Sequence, residues 1–226
     1  MVSHSTRLIL AVCIALIASV AIFELTTLDL VVQNFLYESQ GHKWLIDRDS
    51  AWLKRLLYDG IKQIYIALTL IVLGVAAGNP SWPPIRSRRH EILVVAAALV
   101  LIPLVANGLK AVTNIPCPKD LALYGGNYPH VTLFTAYPSD FIQVERIRCY
   151  PAGHASGGFA LMALALLAGS GRRQLTIASA ACGLGWVVGF YKMGIGDHFL
   201  GHTVVTMLLA MLVILVLDRV IPSRSP

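Results

Sequence analysis

Three histidines, His154, His198 and His202, stand among lysines, glycines and prolines in short segments of an otherwise apolar chain. His198 and His202 are four residues apart, so on a helix they share one face and can bond to each other or to a common partner. Two imidazoles and an orienting group are the equipment of acyl or phosphoryl transfer, in which one nitrogen attacks and another moves the proton. His154 closes the segment Cys149-Tyr150-Pro151-Ala152-Gly153-His154, where a loop passes into an apolar run. There the backbone N–H groups of Ala152 and Gly153, at the positive end of a helix dipole, can receive an anionic oxygen. Lys110 and Lys192 supply matching positive charge, and an ionisable residue at the edge of an apolar run is expensive enough to suggest a task.

The elements that must carry these groups follow from composition. Of 226 residues, 56% are hydrophobic and 13% charged, where a soluble domain carries about 25% charged residues. Long apolar runs at Leu8–Leu25, Ile61–Gly78, Ile92–Leu109, Ala155–Ser170, Leu175–Tyr191 and Leu200–Val220 each approach the roughly 20 residues that cross a bilayer. The expected fold is therefore all-α: a single polytopic membrane domain over residues 1–226 with six transmembrane helices. The first run continues too far past its small residues Ala18 and Ser19 to be a cleaved signal peptide, and reads as a span.

Arg7, then Arg86, Arg88 and Arg89, then Arg172 and Arg173, then Arg219 and Arg224 all fall on one side of a six-span topology, which makes that side cytoplasmic. The net charge of +6 is thereby explained as an orientation signal, and no nucleic-acid partner is expected. The opposite segments, 26–60, 110–154 and 192–199, face outward, and all three histidine- and lysine-bearing segments lie there. Apolar residues such as Phe35, Trp44, Trp52 and Leu56 in 26–60 suit either amphipathic helices in the interface or a small cap. Pro80, Pro83 and Pro84 mark a compact inner turn. The four cysteines form no CxxC pair and no zinc-finger spacing.

These segments resemble the three signature motifs of the type 2 phosphatidic acid phosphatase superfamily. Its pattern is Lys-x6-Arg-Pro, then Pro-Ser-Gly-His, then Ser-Arg-x5-His-x3-Asp. Here the spacing is kept in Lys110-x6-Cys117-Pro118, in Pro151-Ala152-Gly153-His154 and in Tyr191-Lys192-x5-His198-x3-His202. The residues differ: Cys117 stands for an Arg, Ala152 for Ser, Tyr191-Lys192 for Ser-Arg and His202 for the orienting Asp. Cys117-Pro118-Lys119-Asp120, Tyr124-Gly125-Gly126 and Gly196-Asp197-His198-Phe199-Leu200-Gly201-His202 resemble a divergent bacterial branch.

The resemblance implies that His198 attacks phosphorus to form a phosphohistidine, that His154 protonates the leaving oxygen and then activates water, and that His202 takes the orienting place. Phosphate binding would rest on Lys110, Lys192, Ala152 and Gly153, without guanidinium forks. A neutral imidazole at 202 cannot stabilise an imidazolium as a carboxylate does, so Asp120 or Asp197 is expected to supply the missing charge. No metal or cofactor is implied. The expected substrate is an amphiphile with an accessible phosphate, such as undecaprenyl diphosphate, lipid A phosphate, phosphatidylglycerol phosphate or phosphatidic acid, met at the periplasmic face of a bacterial inner membrane. Transfer of the phosphoryl group to a second lipid, a metal site on His198-x3-His202 completed by Asp197 or His154, and a non-catalytic lipid-binding or transport role are the alternatives. The usual zinc-protease Glu is absent, since Phe199 follows His198. Cys117 and Cys149, each beside a motif on the outer side, are expected to form a disulfide, leaving Cys13 and Cys182 as free thiols within spans.

Overall fold

Apolar runs in lipid must satisfy every backbone N–H and C=O internally, which selects helices. A computed structural model describes residues 4–38, 41–78, 81–169 and 171–223. It contains α1 (His4–Leu25), α2 (Leu28–Phe35), a two-residue hairpin of β1 (Tyr37–Glu38) and β2 (Lys43–Trp44), and α3 (Ala51–Ala77). After these come α4 (Pro83–Arg86), α5 (Arg89–Thr113), α6 (Gly153–Ala168), α7 (Arg172–Gly194) and α8 (Leu200–Val220). Pro80, Ser170 and Arg224, used above to place the turn, a span end and the basic tail, lie outside the described residues.

Among the described residues, five helices, α1, α3, α5, α7 and α8, are long and apolar enough to cross a membrane. The expected sixth, α6, has 16 residues and changes from α-helix to 3-10 helix at Leu161. Two half-segments rising 1.5 and 2.0 Å per residue still give roughly 28 Å. Helix α3 starts ten residues earlier than its apolar run suggests, because Ala51–Lys54 and a π-helical stretch, Arg55–Gly60, are continuous with it.

The core lies between α5, α6, α7 and α8, where Leu99, Ile102, Ala155, Phe159, Ala163 and Ala210 are buried. Small residues let these helices approach closely. A Cβ on Gly158 would sit 2.6 Å from Gly185 Cα, and one on Gly189 would sit 2.5 Å from Thr203 Cγ2. The arginine end of the bundle is tied by Arg88 to the Leu167 carbonyl, Arg89 to the Ala76 carbonyl, and His90 to Asp218 at 3.0 Å. The three motifs gather at the other end.

At that end α5 runs to Thr113, so Lys110 belongs to its last turn rather than to a loop, and Asn114 ends the helix in the left-handed region at φ 52°. Lys192 likewise sits in the last turn of α7, which reaches Gly194. Between α5 and α6 the chain forms only two short 3-10 turns and is ordered by specific bonds. The Glu24 carboxylate accepts from Thr132 Oγ1 at 2.8 Å and from the backbone N–H groups of Leu133 and Phe134 at 2.6 and 3.2 Å.

Candidate active site

The segment Ile195–Phe199, between the end of α7 and the start of α8, holds the centre of the site. The Lys192 carbonyl receives the N–H groups of Asp197 at 2.8 Å and His198 at 3.3 Å, and the Gly196 carbonyl receives Lys119 N–H at 2.9 Å. Gly196 turns the chain at φ 76°, and a Cβ there would meet the Trp44 ring at 2.5 Å, so glycine is required on both counts. The segment 26–60 is thus neither a detached cap nor simply an interfacial helix. Its buried side clamps the third motif: Gln33 Nε2 donates to the Met193 carbonyl at 3.1 Å, Ile46 N–H to the Gly194 carbonyl at 3.1 Å, and Asp29 Oδ1 accepts Gly201 N–H at 2.7 Å. Phe35, Leu45, Trp52 and Leu56 point away and stay exposed.

The three histidines are brought together. His154 Nδ1 lies 3.5 Å from His198 Nε2, a separation longer than a strong hydrogen bond. The rings of His198 and His202 meet edge to face with centroids 5.8 Å apart. His198 and His202 are buried. Burial, reinforced by His202, His154, Lys110 and Lys192, holds the His198 imidazole well below its ordinary value, so it is neutral at pH 7.

Both expected lysines are present. Lys110 and His154 line one cavity of about 370 Å³ together with Lys62, Tyr58 and Asn107, and its other walls include Leu57, Ile61, Ile66, Leu161 and Val188. Lys192 Nζ stands 4.6 Å over the Tyr58 ring, which itself touches the His154 ring at 5.1 Å. Gly153 and His154 open α6, where first-turn N–H groups lack intrahelical partners. Ala152 does not share that freedom, contrary to expectation. Its N–H is consumed by Thr206 Oγ1 at 2.8 Å, and Thr206 donates in turn to the His202 carbonyl at 2.7 Å.

The acidic residues occupy other posts than those expected. Asp120 Oδ2 accepts Cys117 N–H at 3.1 Å and closes the turn after the first motif. Asp197 lies between Lys119 and Lys192, each Nζ 2.9 Å from one of its oxygens. Burial pushes the Asp197 carboxyl up, but the attraction of the two lysines outweighs this and holds it below the ordinary carboxylate value. In place of a carboxylate, His198 Nδ1 meets Cys149 Sγ at 3.7 Å. Cys149 is bonded to Cys117 as expected, with S–S 1.95 Å and Cα–Cα 5.2 Å, while Cys13 and Cys182 are free.

Behind His202 lies a second, smaller cavity of about 30 Å³, walled in part by Glu24, Asp29, His130, Tyr150 and His202. His202 Nδ1 is buried without a hydrogen-bond partner. Burial raises the Asp29 carboxyl to about 6 against the opposing pull of the Gly201 N–H. Asp29, Tyr58 and Thr206 escaped the sequence reading because nothing local marks them, whereas Lys119 stands in plain view beside Pro118.

A family model described as the PAP2 superfamily matches residues 91–225. No curated relative and no solved structure matches the chain.

Proposed function

The chain belongs to the PAP2 superfamily, whose members are phosphatases, and from that membership we propose that it is a lipid phosphatase working through a phosphohistidine on His198. The observation that carries this reading is the pair His154 and His198, 3.5 Å apart, with His154 on the wall of a cavity that also holds Lys110. His198 Nε2 attacks phosphorus while the P–O bond to the lipid breaks, and His154, protonated with the anionic substrate bound, gives its proton to the leaving oxygen. Water then attacks phosphorus and passes a proton to His154 as the P–N bond breaks, and inorganic phosphate leaves with His198 regenerated. Lys110, Lys192 and the first-turn N–H groups of α6 hold the phosphate oxygens and stabilise the charge that grows on them.

The apolar walls from Leu57, Ile61, Ile66, Leu161 and Val188 suit the first part of a lipid chain, so the headgroup enters from the bilayer rather than from water. The arginines at the opposite end orient the motif end toward the periplasm or cell exterior. No step needs a metal.

The test is release of inorganic phosphate in detergent micelles from undecaprenyl diphosphate, lipid A phosphate, phosphatidylglycerol phosphate and phosphatidic acid, with and without a chelator. Release that survives the chelator supports the reading. Loss to the chelator indicates a metal hydrolase, phosphate recovered on an added lipid indicates a phosphotransferase, and silence on every substrate a binding protein. His198→Ala and His154→Ala should each lower turnover by at least about 1000-fold. Near-wild-type turnover in either removes the mechanism.

A further inference from the structure

We propose that the Cys117–Cys149 disulfide masks a zinc site, and that reducing it creates a tetrahedral Cys2His2 centre from Cys117, Cys149, His198 and His202. The four ligands come from three separate segments, which is why no zinc-finger spacing announces them.

The geometry is already close to what zinc requires. Ligand atoms of Cys149, His198 and His202 all lie within 4.8 Å of one another, and all three residues are buried. Cys149 Sγ and His198 Nδ1 are 3.7 Å apart. Around a tetrahedral zinc with Zn–S near 2.3 Å and Zn–N near 2.0 Å, a sulfur and a nitrogen stand roughly 3.5 Å apart. Cys117 Sγ is bonded to Cys149 Sγ and so lies beside the same point. Once the bond is cut, a side-chain rotation at Cys117 parts the sulfurs to their places around a metal. The backbone on both sides is held: Asp120 fixes Cys117 N–H, and Cys149 N–H donates to the Ile115 carbonyl at 3.2 Å. Two further features fit a metal. His202 Nδ1 is buried with no partner. If His198 binds through Nδ1, its Nε2–H faces His154 Nδ1, the outer hydrogen bond that a ligating histidine needs.

The chemistry balances. A dithiol reductant delivers two electrons and two protons to the sulfur pair and leaves as its own disulfide, giving two thiols. Zinc binding expels those two protons and forms two Zn–S bonds, so the ion is neutralised by two thiolates inside a buried site. While the disulfide is intact the same sulfurs are neutral, weak donors, and two imidazoles alone do not hold the ion. In the reduced, metal-loaded chain His198 is occupied, so attack on phosphorus stops.

Cobalt(II) is the direct probe. Detergent-purified protein, reduced with a dithiol that is then removed, should bind one Co²⁺ per chain. The visible bands of a tetrahedral ion and a thiolate-to-cobalt charge-transfer band should appear, and Zn²⁺ should bleach both. Zn²⁺ should also raise the melting temperature of the reduced form and leave that of the oxidised form unchanged. His202→Ala should weaken cobalt binding by more than about 100-fold, Cys149→Ser should weaken the charge-transfer band, and Cys117→Ser combined with Cys149→Ser should abolish it. No band in the reduced chain, equal uptake by the oxidised chain, or a charge-transfer band that survives loss of both cysteines would overturn the proposal. These readouts need no turnover, so they stand even if the phosphatase reading fails. A chelator-reversible loss of phosphate release on adding Zn²⁺ to the reduced protein adds the functional arm.

Discussion

Two half-buried carboxylates flank the histidines, and they are kept in opposite conditions. Asp197 sits between Lys119 and Lys192 and is held ionised. Asp29, beyond His202, has a backbone N–H for a partner and its carboxyl is pushed up to about 6. The first spends its charge on holding two ammonium groups, those of Lys119 and Lys192. The second shares the wall of the small cavity behind His202 with Glu24. Similar side chains, buried to a similar degree, thus differ in charge and role because one has cations to face and the other does not.

The largest consequence belongs to Asp197. Asp197→Asn leaves two partly buried ammonium groups without a counterion, which should cost about 3 kcal/mol of stability and lower kcat/KM for a lipid phosphate. Thermal melting in detergent checks the first, and an unchanged melting temperature would mean that the pair contributes nothing.

His202→Asp sharpens the contrast. A carboxylate at 202 matches the broader family and should help compared with His202→Ala, but here it shares a cavity with Asp29. Two acids in one small buried space repel. The double variant His202→Asp with Asp29→Asn should therefore be at least about tenfold more active than His202→Asp alone. Additive effects of the two changes would show that Asp29 and residue 202 do not interact.

A pH series separates the carboxylates by sign. Asp29, raised when folded, contributes stability that is present at low pH and lost as pH rises through about 6. Wild type should therefore gain about 1 kcal/mol over Asp29→Asn on going from pH 7 to 5. Asp197 is depressed, so its contribution is present above the ordinary carboxylate value and lost only as pH falls through its lower folded value. The difference between wild type and Asp197→Asn should stay flat over that same window. Matching slopes for the two variants would erase the distinction.

The smallest effect concerns the bond to Gly201. Asp29→Asn keeps an acceptor for that N–H and should melt close to wild type at pH 7, whereas Asp29→Ala should lose about 1 kcal/mol. Equal melting of the two would show that the Asp29–Gly201 hydrogen bond adds no stability.

The bundle was largely legible because apolar runs of bilayer length have one good solution. Helix α6 was the exception. Its 16 residues are shorter than a usual span and loosen to a 3-10 helix from Leu161, which no periodicity announces, and α3 runs on from a polar start at Ala51. The histidines and lysines were legible because Lys110, His154, Lys192 and His198 carry chemistry that apolar surroundings make conspicuous. Ala152 was misassigned because its N–H is taken by Thr206, 54 residues away, and only packing reveals such a competitor.

By itself, the sequence determined which residues are too costly to leave idle at the ends of apolar helices, the spacing that puts them on one side, and the cysteines available to join two motifs. Local chemistry and the demands of lipid on a backbone suffice for that. Tertiary structure alone decided that segment 26–60 grips the third motif through Gln33, Trp44, Ile46 and Asp29, and that Asp197 serves lysines rather than a histidine. It also decided that His198 Nδ1 faces a sulfur. Each of those outcomes depends on which groups compete within a few ångströms across distant parts of the chain, and a buried polar group takes whichever partner the packing leaves within reach.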